Sequence, residues 1–323
     1  MPVSSRHLVL CLVCSGLLSG SAARAADFVR DLQTAAITEG KSPLGHWGPD
    51  PANYTAWGSH SNRLIPVYTF GTKGAGQGVD LDDYSGRNSV YRNEAAIRRI
   101  FGSVPTNTLN PQAEYFDQTD LAVLQRAAFA NGKKHVFLVI FDGMDWQTTW
   151  AAAIYNRRDV AYREGRGTGL HFLDYQAGGT TQYGWMVTSP HNEGTEINVD
   201  DQRVLNPGGK LRGGYNVAKG GPNPWTPGND LLYPIGKSAD DPKGVGEHAY
   251  PDSSATAMAM TTGVKSYNNA INVDATGNQV ATLAHEMQPQ GFKIGVVTSV
   301  PISHATPACA YSHNVHRDDY QDL

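Results

Sequence analysis

The stretch YPDSSATAMAMTTGVKSYNNAINVD, Tyr250 to Asp274, places a serine at the mouth of a helix. Asp252 and Ser253 both carry side-chain oxygens that accept the free amide hydrogens of a first helical turn. Small and medium side chains then run from Ser254 to Met260, and Gly263 supplies a natural stop. Partial positive charge gathers at a helix N-terminus, so a phosphate on or near Ser253 would be stabilised there. A capped helix with no chemistry fits the same residues, and the Asp-Ser pair alone does not choose between the two.

Composition bounds the class and the compartment. The chain has 323 residues, 17% of them charged, which is enough for one large domain or two small ones. Residues 1–25 read as a secretory signal: Arg6 and His7, an apolar run from Leu8 to Leu18, then Ala23-Arg24-Ala25 as the cleavage site. The run is about 11 residues, too short to span a bilayer. Cleavage after Ala25 would remove Cys11 and Cys14 and leave Cys309 alone, so no internal disulfide is expected. Without Arg6 and Arg24 the basic count falls from 26 to 24 against 30 acidic residues, a net charge of −6. That balance argues against a nucleic-acid partner. With no second apolar stretch of spanning length, the expectation is a secreted or periplasmic protein without a membrane span.

Three regions follow the signal. Residues 26–132 form an N-terminal extension of unknown role. Helices are expected near Asp27 to Thr38, at Asn93 to Phe101 and at Thr119 to Asn131, with loop from Gly40 to Ser89. His135 to Phe141, HVFLVIF, is an unbroken apolar run of strand length, which suits burial on both faces of a parallel sheet. Asp142-Gly143-Met144 follows, then a helical stretch from Trp146 to Arg157. Residues 160–248 are a long Gly/Pro-rich insertion with one strand expected at Tyr183 to Thr188. Gly236-Lys237-Ser238 ends like a phosphate-binding loop, but Leu231 stands where the first glycine belongs, so that motif fails. A helix is expected at about Asn278 to Gln288 and a second buried strand at Lys293 to Thr298.

Acid, nucleophile and cation would converge if these segments end on one side of a sheet. A serine hydroxyl needs a base or a metal to activate it, and no G-x-S-x-G pattern ties a histidine to Ser253. Asp142 and Thr306 offer hard oxygen ligands, and Arg317 can grip a phosphate through two hydrogen bonds at once. Bland readings fit each residue singly: Asp142 as a helix cap, Thr306-Pro307 as a helix start, Arg317 as a surface charge. His304, His313 and His316 could also suggest a zinc site of their own.

Taken together, the segments resemble the alkaline phosphatase family. Asp252-Ser253, Thr261 to Lys265 and Tyr267-Asn268 match its nucleophile block, and Phe141 to Met144 its strand-end D-G-M. SHATPACAYSHNVHR, Ser303 to Arg317, is similar to its (D/H)-A-(T/S)-P-A…R segment. The spacings, 53 from Ser253 to Thr306 and 13 from His304 to Arg317, fit without a gap. The resemblance implies Ser253 as nucleophile and zinc ligand, Asp142 bridging a zinc and the magnesium, Thr306 as a magnesium ligand and Arg317 as the phosphate clamp. Asp252 and His304 would flank these groups, with His304 where the family has Asp or His near the magnesium. It further implies two Zn2+ and one Mg2+ in the complete enzyme, a phosphate monoester substrate, a phosphoserine intermediate and room for a homodimer.

The implied fold is a three-layer α/β/α domain with a largely parallel central sheet, its first part spanning residues 133–323. Two departures accompany the match: Asp145-Trp146 where a small residue is usual, and 111 positions between Asp142 and Ser253. The further metal ligands of the family do not follow Arg317. The sequence therefore reads as a fragment or a natural truncation, with an incomplete sheet, poor metal binding and slow turnover expected. The leading function is a metal-dependent phosphomonoesterase. Alternatives are an inactive binding module, or a phosphodiesterase or sulfatase of the same superfamily.

Overall fold

The computed structural model describes residues 28–40, 64–68, 84, 86–114, 116–144, 146–162, 167–174, 181–185, 195–207, 217 and 251–323. The signal at 1–25, most of the loop expected from Gly40 to Ser89 with its His46 and His60, and most of the Gly/Pro-rich insertion from 208 to 248 lie outside them. The helices, in chain order, are α1 (Phe28–Glu39), α2 (Glu94–Phe101), α3 (Gln118–Ala130), α4 (Trp146–Arg157), α5 (His171–Asp174), α6 (Ser253–Thr262), α7 (Leu283–Met287) and α8 (Ala305–Ala308). The strands are β1 (Leu64–Tyr68), β2 (Phe116–Asp117), β3 (Thr181–Trp185), β4 (Ile197–Asn198) and β5 (Arg203–Val204).

Local chemistry fixes the helix starts. Asn93 caps α2 by accepting from the Ala96 amide, and Gly102 ends that helix at φ +72°. Asp117 and Asp120 form a reciprocal capping box at the start of α3, two orphan amides satisfied at once. Asp252 caps α6, which ends at Gly263 with φ +83°. A side chain at Gly263 would be strained in that left-handed conformation, although its Cβ would meet Arg126 and Ala122 of α3 only at ordinary contact distance.

Residues 86–130, given no role by sequence, pack onto the serine helix. The small faces of α3 and α6 lie together, and polar groups of α3 satisfy the orphan carbonyls at the end of α6. Gln125 donates to Met260 O at 2.9 Å and Arg126 to Thr262 O at 3.0 Å. Arg126 also forks onto Glu286 of α7 at 2.6 and 2.8 Å. Beyond Gly263 the Lys265 amide donates to Ile100 O at 2.7 Å. The Lys265 ammonium, fully buried, meets Asp117 at 3.2 Å, and Tyr91 donates its hydroxyl to the same carboxylate at 2.8 Å. A buried lone charge would be costly, so Lys265 needs Asp117 and Asp117 needs Lys265.

Three sequence expectations change. The runs at His135 to Phe141 and Lys293 to Thr298 form no strand ladder among the described residues. Phe137 is 84% and Val297 100% exposed. A strand buried on both faces needs neighbours at its edges and layers above and below, and the described residues supply none. The sheet that does form is mixed: β1 is antiparallel to β3, and β2 is parallel to it. Helices and strands are both present, an α/β content, and the strands among the described residues do not by themselves make up a three-layer, largely parallel sheet. The helix expected at Asn278 to Gln288 shortens to α7. Asn278 donates to Asp274 instead, closing a turn, and Thr282 with His285 forms the capping box that starts the helix. Part of the long insertion is ordered as α5, β3 and the β4–β5 hairpin, and β1 lies inside the expected loop. No helix among the described residues is long and apolar enough to cross a membrane.

Burial, then the nearby charge of Asp117, pushes Asp120 up from the ordinary 3.8 to about 8. Asp120 thus keeps its proton in the folded chain where the unfolded chain releases it. Its stabilising contribution is full at low pH and is lost as pH rises from about 4 towards about 8. Asp120→Asn keeps an acceptor for the Asp117 amide and cannot ionise. Urea denaturation across that window should therefore show a shallower loss of stability with pH in the variant than in the parent.

Candidate active site

Ser253 is the first residue of α6, and Asp252 sets it there. The Asp252 carboxylate accepts from the Ala255 amide at 2.9 Å, from the Ser254 hydroxyl at 2.8 and 2.9 Å, and from the Asn269 amide at 3.0 Å. Arg317 adds an Nη1 contact at 3.2 Å. Asn268 returns the favour by accepting from the Asp252 amide at 2.9 Å. The turn after α6 thus folds back over the start of the same helix.

Asn269 holds that return. It sits at φ +78°, a left-handed conformation that asparagine tolerates better than most residues. Its amide reaches Asp252, and its carbonyl accepts from the Arg317 amide at 2.8 Å. Tyr267 donates its hydroxyl to Val315 O at 2.8 Å, and Ile271 pairs with Asn314. The segment carrying Arg317 is therefore laid beside the one carrying Ser253. Sequence reasoning quoted Tyr267 and Asn268 and missed Asn269. An asparagine pair after a glycine-stopped helix is the signal that could have marked it.

Asp142 reaches the other side of Ser253 from a turn closed by Gly143 at φ +73°. Its two oxygens take one hydroxyl each: Ser253 Oγ at 3.3 Å and Thr306 Oγ1 at 2.8 Å. Those donors stand 111 and 164 positions away. Thr306 lies in α8, which is packed under α6 by Ala257, Met258, Ala305, Ala308 and Cys309. Cys309 is buried, its thiol pushed up by that burial and then by the charge of Asp252, and it is not exposed for chemistry. His304 is the residue before α8 and makes no side-chain capping bond; its Nδ1 is buried without a hydrogen-bond partner. His313 instead donates from Nε2 to Val280 O at 2.9 Å and lies near the His285 ring.

The structure brings Asp142, Ser253 and Thr306 into direct contact, with Asp252 and Arg317 adjoining through the helix cap. One carboxylate and two hydroxyls are hard oxygen donors, which suits a magnesium-type cation whose other positions are filled by water. Zinc takes three or four protein ligands, drawn mainly from Cys, His and carboxylates. No group of three His, Cys, Asp or Glu side chains among the described residues is placed to hold it.

A capped serine, an adjoining arginine and a cluster of three oxygen donors thus lie side by side. Residues 235–323 match the family model described as Alkaline phosphatase. Alkaline phosphatase 4 of Bacillus subtilis (strain 168) is 40% identical over 84 residues, 26% of this chain and 17% of that protein. Alkaline phosphatase 3 of the same organism is 39% identical over 102 residues, 29% of this chain and 20% of its own length. The Homo sapiens tissue-nonspecific isozyme is 35% identical over 82 residues, 22% and 16% of the two chains. The chain spans about a fifth or less of the curated relatives it matches. Among solved structures, the alkaline phosphatase of the Antarctic bacterium TAB5 is 37% identical, with 21% and 20% of the chains covered and a TM-score of 0.21. The enzyme of a psychrophilic Shewanella species is 40% identical over 22% and 18%, with a TM-score of 0.22.

Removing the cap tests this assembly. Asp252→Ala should lower the unfolding free energy by about 1–2 kcal/mol, the usual loss of an N-cap. Asp252→Asn, which also caps well, should recover most of it in denaturant titrations.

Proposed function

We propose that the chain contributes the phosphoserine-forming half of a metal-dependent phosphomonoesterase, with Ser253 as nucleophile. The observation that carries this reading is the Asp142 carboxylate shared between the hydroxyls of Ser253 and Thr306. Three residues from distant segments converge on one point, and each has an oxygen to offer a cation. The match to alkaline phosphatases supports the substrate class.

Each side chain then has a task. Asp142 accepts the Ser253 proton in hydrogen-bonded form and orients the hydroxyl. The N-terminal amides of α6 and the dipole behind them favour an anionic phosphate at Ser253. Arg317 is held at one Nη1 by Asp252, and its remaining N–H donors are suited to phosphate oxygens. A magnesium-type ion held by Asp142, Ser253 and Thr306 would supply charge to offset the phosphate's own and to lower the hydroxyl's pKa. Residues 133–323 would form the catalytic unit, exported by a signal at 1–25.

Two variants test the reading. In the 323-residue chain treated with p-nitrophenyl phosphate and Mg2+, phosphate should appear on Ser253 in peptide mass spectra. Ser253→Ala should abolish it. Label on Ser254, or none in the parent chain, would remove Ser253 from the role. Arg317→Ala should weaken inorganic phosphate binding by roughly 1.5–3 kcal/mol for each charge-assisted bond lost. An unchanged phosphate affinity in titration calorimetry would return Arg317 to the surface.

A further inference from the structure

The β4–β5 hairpin lies in the glycine-rich insertion, far from any motif, yet one of its side chains grips the Arg317 segment on both sides. Gln202 accepts from the Val315 amide at 3.1 Å and donates to Asp319 Oδ2 at 3.2 Å and to Val199 O at 2.8 Å. Val315 and Asp319 stand two residues before and two after Arg317. Asp319 is steadied in turn by Asn314, which donates at 2.8 Å. A side chain with both an acceptor and a donor at this reach is required. Glutamate would lack the donor and face Asp319 with a like charge.

Two further observations show that the hairpin is built for this. Gln202 sits at φ +50°, a left-handed conformation at the end of a hairpin loop where glycine or asparagine is the easier choice. Asn198 and Asp201 lock the loop through reciprocal bonds at 2.9 and 3.0 Å. Val204 anchors the hairpin among Tyr267 and Ala270 of the serine segment. The backbone at 202 asks for glycine, and the sequence supplies an amide.

We propose that Gln202 is a positioning residue for Arg317, bridging Val315 and Asp319 so that the guanidinium is held toward Ser253. This rests on reading Arg317 as the phosphate clamp. Gln202→Gly separates positioning from plain structural support, because glycine suits the left-handed backbone while deleting the side chain with its three hydrogen bonds. In the full chain its thermal midpoint should be unchanged or raised. Inorganic phosphate should bind roughly three- to ten-fold more weakly, the range for lost hydrogen bonds. Amide exchange at 315–319 should quicken while α6 stays protected. In an Arg317→Ala background Gln202→Gly should change phosphate binding no further. Equal losses with and without Arg317, or unaltered exchange at 315–319, overturn the proposal. A parent chain that binds no phosphate overturns the clamp reading instead, and exchange then decides whether Gln202 holds the segment.

Discussion

The carboxylate of Asp252 is the constraint on which the rest of the site depends. Four groups from three parts of the chain meet there: the α6 amides, the Ser254 hydroxyl, the Asn269 amide and Arg317. A carboxylate has about four lone-pair directions, so it is saturated. Saturation gives direction as well as energy. Because Asp252 can accept nothing more, the serine beside it must find its partner elsewhere, and Asp142 is within reach.

The serine helix owes its position to its other end. Its apolar face runs nearly all round, with Ala255, Ala257, Met258 and Ala259 buried, so side-chain pattern alone would let it rotate in its seat. Polar contacts remove that freedom. Gln125 and Arg126 hold its last carbonyls, and Lys265 just beyond is tied to Asp117. An ion pair buried this deeply contributes little net stability, but mismatched registers would strand a charge. Residues 86–130 thereby act on the site without touching it.

What sequence could show depended on the reach of each signal. Helix starts were legible at Asn93 and Asp252, because a cap and its amide lie within three residues, whereas the helix expected from Thr119 is capped two residues earlier, at Asp117. The start of α7 was not, since Asn278 was drawn into a turn with Asp274 and the capping task fell to Thr282. The apolar runs near 135 and 293 announced a need for burial but not the neighbours that would meet it. Asp142, Ser253, Thr306 and Arg317 stood out through motif and spacing. Asn269 and Gln202 did not, because one works through a backbone angle and the other across more than a hundred positions.

The exposed run from Val136 to Phe141 has a consequence for handling the molecule. It is six residues long, β-prone, uncharged and free of proline, and such a segment templates strand addition between copies when it stays unpaired. Association of this kind competes with refolding once a chain has opened. Heating would then trap the material rather than return it, and its apparent melting temperature would shift with scan rate and protein concentration. Denaturant titration at low protein concentration keeps this association out of an equilibrium measurement, whereas heating at high concentration invites it.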